Sequence, residues 1–179
     1  MSGRRDVRRG LLVVYTGNGK GKTTAALGLM LRASGHDQRA CVVQFVKAAG
    51  RLRGEEVAAR RLGVDWVATG DGFTNRSSDP AATAQRGRHG WEIARAAITS
   101  GTYDLVVLDE FTYALRYGWV DADDVIRWLA AERPPSVHVV VTGRDALPAL
   151  LEQADLVTEM REVRHPYRFG VPAQAGIEY

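Results

Sequence analysis

Short apolar runs recur along the chain, separated by stretches long enough for helices. Residues 11–15, 41–46, 64–67, 105–108, 137–141 and 156–160 read as strands. Runs such as LVVL and VHVVV are apolar almost throughout rather than alternating, the pattern of strands covered on both faces in a parallel sheet. Between them, Ala25, Ala26, Leu29 and Met30 fall at helical spacing and predict a helix over 22–32. Asp79-Pro80, an N-cap residue followed by proline at the first helical position, opens a segment towards Ile98, with Gly87 and Gly90 as candidate breaks in it. Asp121 or Asp123 caps a helix presenting Val125, Ile126 and Leu129 that ends before Pro134, and 146–153 is a further short helix. Residues 47–56 and 68–80 are rich in glycine, serine and charge. Both follow strands, which puts them at the carboxyl edge of a sheet, where open α/β proteins bind ligands.

Composition then narrows the partners. The net charge of +3 comes from 24 basic and 21 acidic residues. Arg4, Arg5, Arg8 and Arg9 against Asp6 supply all of it, so the rest of the chain is neutral. The expectation is a basic, solvated tail over 1–10 and a single domain over 11–179, with no broad positive surface for nucleic acid. Cys41 is the only cysteine and sits in an apolar run, which suits a reducing cytosol. No apolar run approaches the ~18 residues of a membrane span, and 11–15 is shorter than the ~7–15 residues of a signal-peptide core. A cytoplasmic protein with no membrane partner is expected.

The stretch LLVVYTGNGKGKTTAALGLMLRA joins a strand to a helix through a glycine loop. Glycines let successive N–H groups turn inward around an anion, and the helix start adds its own N–H groups and the positive end of its dipole. Gly17, Asn18, Gly19, Lys20, Gly21, Lys22, Thr23 and Thr24 therefore read as a nucleoside triphosphate site, with Lys22 on the phosphates and the Thr23 hydroxyl on Mg²⁺. Against the usual G-x-x-x-x-G-K-[ST], the spacing from Gly17 to Gly21 is one residue short, and Lys20 is an added cation. The second signal is the apolar run 105–108 ending in Asp109 and Glu110, where nucleotide-binding folds hold their metal. The third is Gly143-Arg144 after run 137–141; Arg144 is either a bidentate phosphate clamp or a surface partner of Asp145 or Asp155. Loop, acids and alternation together predict an α/β fold, a three-layer P-loop NTPase-like domain with a mostly parallel central sheet.

TGNGKGKTTAALGLMLRA, VVQFVK, GEE, VVLDEFTYAL, VVVTGR, ADLVTEM and the ending QAGIEY resemble, in order and over nearly the whole chain, the P-loop ATP:corrinoid (cob(I)alamin) adenosyltransferases. The resemblance implies that cobalt(I) of a reduced corrinoid attacks the ribose C5′ of ATP and triphosphate leaves, in adenosylcobalamin synthesis or salvage. It implies catalytic roles for Lys20, Lys22 and Glu110, Mg²⁺ on Thr23, Asp109 and Glu110, and corrinoid contact by Phe73. It further implies a homodimer and a reduced flavoprotein as electron donor. Gly72-Phe73-Thr74-Asn75 stands where the family has G-F-T-W. Either Phe73 suffices, or Trp91 or Tyr113 supplies the second ring, or activity on cobalt(II) is reduced. His89 reads as a packed or solvated side chain rather than a cobalt ligand. The alternative is a P-loop ATPase or small-molecule kinase, which calls for a full-length loop.

Overall fold

The computed structural model describes residues 9–48, 53–70, 72 and 79–178. In chain order the elements are β1 (Leu12–Thr16), α1 (Lys22–Ser34), β2 (Ala40–Ala48), α2 (Gly54–Arg61), β3 (Asp65–Gly70), α3 (Pro80–Thr99), β4 (Leu105–Asp109), α4 (Phe111–Arg116), α5 (Ala122–Ala131), β5 (His138–Thr142), α6 (Pro148–Gln153) and β6 (Leu156–Glu159). The strands form one sheet in the order β3-β2-β4-β5-β1-β6, and every pairing is parallel.

Two-sided burial explains why the central strands are apolar throughout. Leu12, Val14, Val43, Phe45, Val106, Leu108, Val139 and Val141 pack against α3, α4, α5 and α6 on one face. Their neighbours Val13, Tyr15, Val42, Val107 and Val140 pack against Ala26, Met30 and Ala33 of α1 and Ala59 of α2 on the other. Both sides of the period-2 pleat are therefore apolar. Cys41 lies in this core, and burial, helped by Asp65, pushes its thiol up to about 11. That makes it a small hydrophobe rather than a nucleophile.

The observed strands extend past the apolar runs at their carboxyl ends. Thr16, Lys47, Asp109 and Thr142 all belong to strands, because their polar side chains meet partners at that edge. Two helices arise where the pattern had indicated none. The polar α2 is anchored chiefly by the fully buried Ala59, too little for an apolar period to show. In the short α4, Phe111, Thr112, Ala114 and Leu115 are all buried. Asp121, not Asp123, caps α5, accepting from the Asp124 N–H at 2.9 Å, as Asp79 caps α3 by accepting from Ala82 at 3.0 Å. Of the expected tail, residues 1–8 lie outside the described residues. Gly10 and Arg9 are fastened: the Gly10 N–H donates to the Pro135 carbonyl at 2.6 Å, and Arg9 pairs with Asp155 at 2.6 Å. No helix among the described residues is long and apolar enough to cross a membrane.

Helix α3 runs unbroken through Gly87 and Gly90 because both glycines serve as contact points. A Cβ on Gly87 would come within 2.6 Å of the Trp119 ring, and one on Gly90 within 2.7 Å of the Thr69 hydroxyl and 2.9 Å of Phe45. The missing methyl groups let the helix sit close to the sheet. Gly28 on α1 differs, with nothing within 4 Å of such a Cβ. Gly90→Ala is accordingly expected to destabilise the protein by about 1–2 kcal/mol, overpacking outweighing the gain in helix propensity. Gly28→Ala should stabilise by roughly 0.5–1 kcal/mol. Urea denaturation midpoints of the two variants, moving in opposite directions, check this.

Candidate active site

The carboxyl edge of the sheet gathers the site. Helix α1 starts at Gly21, which has a left-handed φ of 107°; no side chain caps it and no acid lies in its first turn. Its first N–H groups are thus open to an anion, whereas α3 and α5 spend theirs on aspartates. The loop before it is held from outside by the backbone that follows β6. The Gly19 N–H donates to the Met160 carbonyl at 2.6 Å. A Cβ on Gly17 would stand 2.5 Å from that carbonyl oxygen, and one on Gly19 2.7 Å from the Arg161 backbone. These glycines permit a close backbone approach as well as the curvature of the loop.

The predicted cations sit in different surroundings. Lys22 curls over its own loop, its ammonium donating to the Gly19 carbonyl at 2.5 Å. Burial, then the nearby Arg144 guanidinium, lowers its pKa, while Glu110 and Asp109 work the other way. Lys20 pairs with Glu178. Asn18 and Thr24 are exposed. Arg144 is exposed and makes no ion pair among the described residues. Its candidate surface partners are taken, Asp145 by Arg116 and Asp155 by Arg9. Arg144 instead lies within electrostatic reach of Lys22 and Tyr113.

Asp109 is fully buried and satisfied. One oxygen accepts from the Thr23 hydroxyl at 2.8 Å and the Thr142 hydroxyl at 2.7 Å. The other accepts from the Gln44 amide at 2.8 Å, with the Lys47 ammonium 3.8 Å away. Thr23 donates its proton inward, which leaves its lone pairs facing outward. Glu110 contrasts with its neighbour. Its backbone is left-handed (φ 62°, ψ 24°), a conformation that costs about 1 kcal/mol or more for a non-glycine residue. Its N–H donates to the Thr142 hydroxyl at 2.9 Å, yet its carboxyl oxygen Oε2 is buried without a partner among the described residues. Burial, then Asp109, raises its pKa to about 7, against the pull of Lys47, Arg53 and Lys22. A buried carboxyl oxygen without a partner among the described residues, on the residue that follows the acceptor of the Thr23 hydroxyl, fits a hard divalent cation whose other ligands are phosphate and water. It does not fit an all-protein metal cage, and no group of three His, Cys, Asp or Glu able to hold a metal exists among the described residues.

Phe73 and Asn75 lie outside the described residues. Gly72, just before them, donates its N–H to the Val46 carbonyl at 3.0 Å, which brings the start of that loop beside Lys47. Trp91 does not offer a ring to the site. It is buried, stacked on Phe111 at 5.2 Å and edge-on to Trp128 at 5.4 Å, and belongs to the core. Tyr113 is half-buried, interacts with Arg144 and Glu110, and stacks on Tyr117 at 6.0 Å. His89 is exposed, 3.6 Å from Glu92. Residues not singled out from the sequence include Gln44, Lys47 and Thr142 around Asp109, Met160 on the loop, and Glu178. A glutamine inside the run CVVQFV was the available signal for the first; Glu178 carried none.

An open helix start behind a glycine loop, joined through a threonine to a buried acid two strands away in a parallel sheet, defines a P-loop NTPase-like α/β protein. The model of the family described as ATP:corrinoid adenosyltransferase BtuR/CobO/CobP matches residues 8–179, and the chain belongs to that family of transferases. Among its relatives is a corrinoid adenosyltransferase of Sinorhizobium sp., 40% identical over 173 residues, covering 96% of this chain and 81% of the relative. One of Pseudomonas aeruginosa is 42% identical over 173 residues, covering 96% and 84%. One of Escherichia coli K12 is 42% identical over 175 residues, covering 96% and 86%.

Glu110 also makes stability depend on pH. Its carboxyl titrates at about 7 in the folded chain against 4.5 ordinarily. Between those values the folded chain holds a proton that the unfolded chain has lost, so stability falls as pH rises through the window, by up to about 3 kcal/mol. Glu110→Gln should flatten this dependence, gaining on the wild type at about pH 8 but not at about pH 4. Urea melts without nucleotide or divalent cation check it.

Proposed function

We propose that the chain transfers the 5′-deoxyadenosyl group of ATP to cobalt(I) of a reduced corrinoid, releasing triphosphate, in adenosylcobalamin synthesis or salvage. The cobalt lone pair forms the bond to C5′, and the electrons of the breaking C5′–O bond leave with triphosphate. No proton moves at the reacting atoms, so no general base is required. What remains for the protein is to align C5′ with cobalt and to stabilise the departing polyanion.

The observation that carries this reading is the concentration, among the described residues, of unspent groups at the phosphate end: the open start of α1, Arg144 without an ion pair and the orphaned oxygen of Glu110. On this reading the loop from Gly17 to Thr24, through its N–H groups other than that of Gly19, binds and neutralises triphosphate together with Lys20, Lys22 and Arg144. Thr23 and Glu110 hold Mg²⁺, and Asp109 orients Thr23. When bound, the cation neutralises charge on the phosphate oxygens. Phe73 meets the corrinoid from the loop after β3. We assign these roles within one domain over 11–179.

A homodimer is in keeping with the edge strand β6, whose Leu156 and Val157 are exposed, and with exposed Val163, Tyr167, Phe169 and Ile177 beyond it. A reduced flavoprotein donor and a cytoplasmic location complete the reading.

The direct test mixes the protein with ATP, Mg²⁺ and chemically reduced cobalamin without oxygen. A light-sensitive alkylcobalamin spectrum with released triphosphate is expected; ADP and phosphate as sole products would overturn the proposal in favour of an ATPase or kinase. Lys22→Ala should lower turnover by about a hundredfold or more. Arg144→Ala should weaken ATP binding about tenfold.

A further inference from the structure

The loop carries two lysines, and the chain's own oxygens occupy both. Lys22 is held by a neutral carbonyl of its own loop. Lys20, the cation that the usual loop pattern lacks, is held by a full negative charge from the far end of the chain. The Glu178 side chain is only 19% exposed in that pairing. A turn delivers it there: the N–H groups of Ile177 and Glu178 both donate to the Gln174 carbonyl, at 3.2 and 2.8 Å. The same C-terminal stretch holds the loop again through the Met160 carbonyl, with the Arg161 backbone close against Gly19. A carboxylate fixed on a phosphate-loop lysine and a triphosphate entering that loop compete for one ammonium, and they repel each other.

From this we infer that Glu178 is a positioning residue of the phosphate site. It holds Lys20 in the substrate-free chain, surrenders it when polyphosphate binds, and weakens the grip on triphosphate as product. The inference rests on the phosphate-site reading above and names a control within it. Of the two lysine contacts, only this one can be tuned without rebuilding the loop, because its acceptor lies on a side chain.

Calorimetric titration of inorganic tripolyphosphate into the whole protein tests it. Glu178→Gln should bind tripolyphosphate about two- to fivefold more tightly at low salt, the range expected for releasing one partly exposed ion pair. The gain should shrink as ionic strength rises. Glu178→Asp should stay close to the wild type. Lys20→Ala should bind more weakly, and adding Glu178→Gln to it should bring no further gain. Unchanged or weaker binding by Glu178→Gln, or a gain that survives in the Lys20→Ala background, overturns the inference alone. A wild-type chain that takes up no tripolyphosphate, or Lys22→Ala binding as well as wild type, overturns the phosphate-site reading and this inference with it.

Discussion

A carboxyl group with no access to water leaves its oxygens unsatisfied unless donors surround it, and Asp109 sets that demand at the centre of this molecule. Its donors come from three separate parts of the chain: Thr23 at the start of α1, Thr142 at the end of β5, and Gln44 in β2. Satisfying one side chain therefore ties the phosphate loop to the acid-bearing strand across the strand between them. A parallel sheet makes this possible, because all of its strands end at the same edge. Were Thr23 to lose its acceptor, its hydroxyl would be free to rotate and its lone pairs would no longer be aimed.

Glu110 shows the opposite economy. The backbone is held left-handed and one carboxyl oxygen has no partner, so the residue is under strain and underused when the site holds no ligand. Lys22, crowded by Arg144, is similarly positioned at some expense in solvation. On the proposed reading these groups find their full complement when phosphate oxygens and a cation enter. A site built in this way favours charge on a leaving group over activation of a nucleophile. A cobalt(I) nucleophile, which carries no proton to remove, suits that allocation.

The segment after β6 has a larger part in this architecture than its irregular sequence suggested. It closes over the loop at Gly17 and Gly19, returns at Glu178 to hold Lys20, and leaves apolar side chains in solvent along the way. Close backbone approach explains two of the loop glycines as directly as phosphate binding does. Loop and tail form one unit, so changes in either will be felt by the other.

Much of the scaffold could be read directly. Apolar runs marked all six strands of the described sheet, because burial on both faces leaves little room for polar residues, and the asparagine-glycine-lysine pattern of the loop marked a candidate anion site because its chemistry is local. Where the strands ended was less legible. Thr16, Lys47, Asp109 and Thr142 look like loop residues until their partners at the carboxyl edge are known. Likewise, Gly87 and Gly90 look like helix breakers until Trp119 and Phe45 are seen filling the space above them, and Trp91 is a plausible ligand-facing ring until it is found stacked in the core. The amino-acid order by itself determined the alternation of elements, the glycine loop before α1 and the acids at the end of β4 as candidates for one site, since these depend on neighbours within a few residues. Tertiary structure alone decided that Gln44 and Thr142 serve Asp109, that Glu110 keeps a vacant oxygen, and that Glu178 reaches Lys20. Each of those depends on groups far apart in the chain being brought within hydrogen-bonding distance or kept out of it, and no local pattern encodes such a distance.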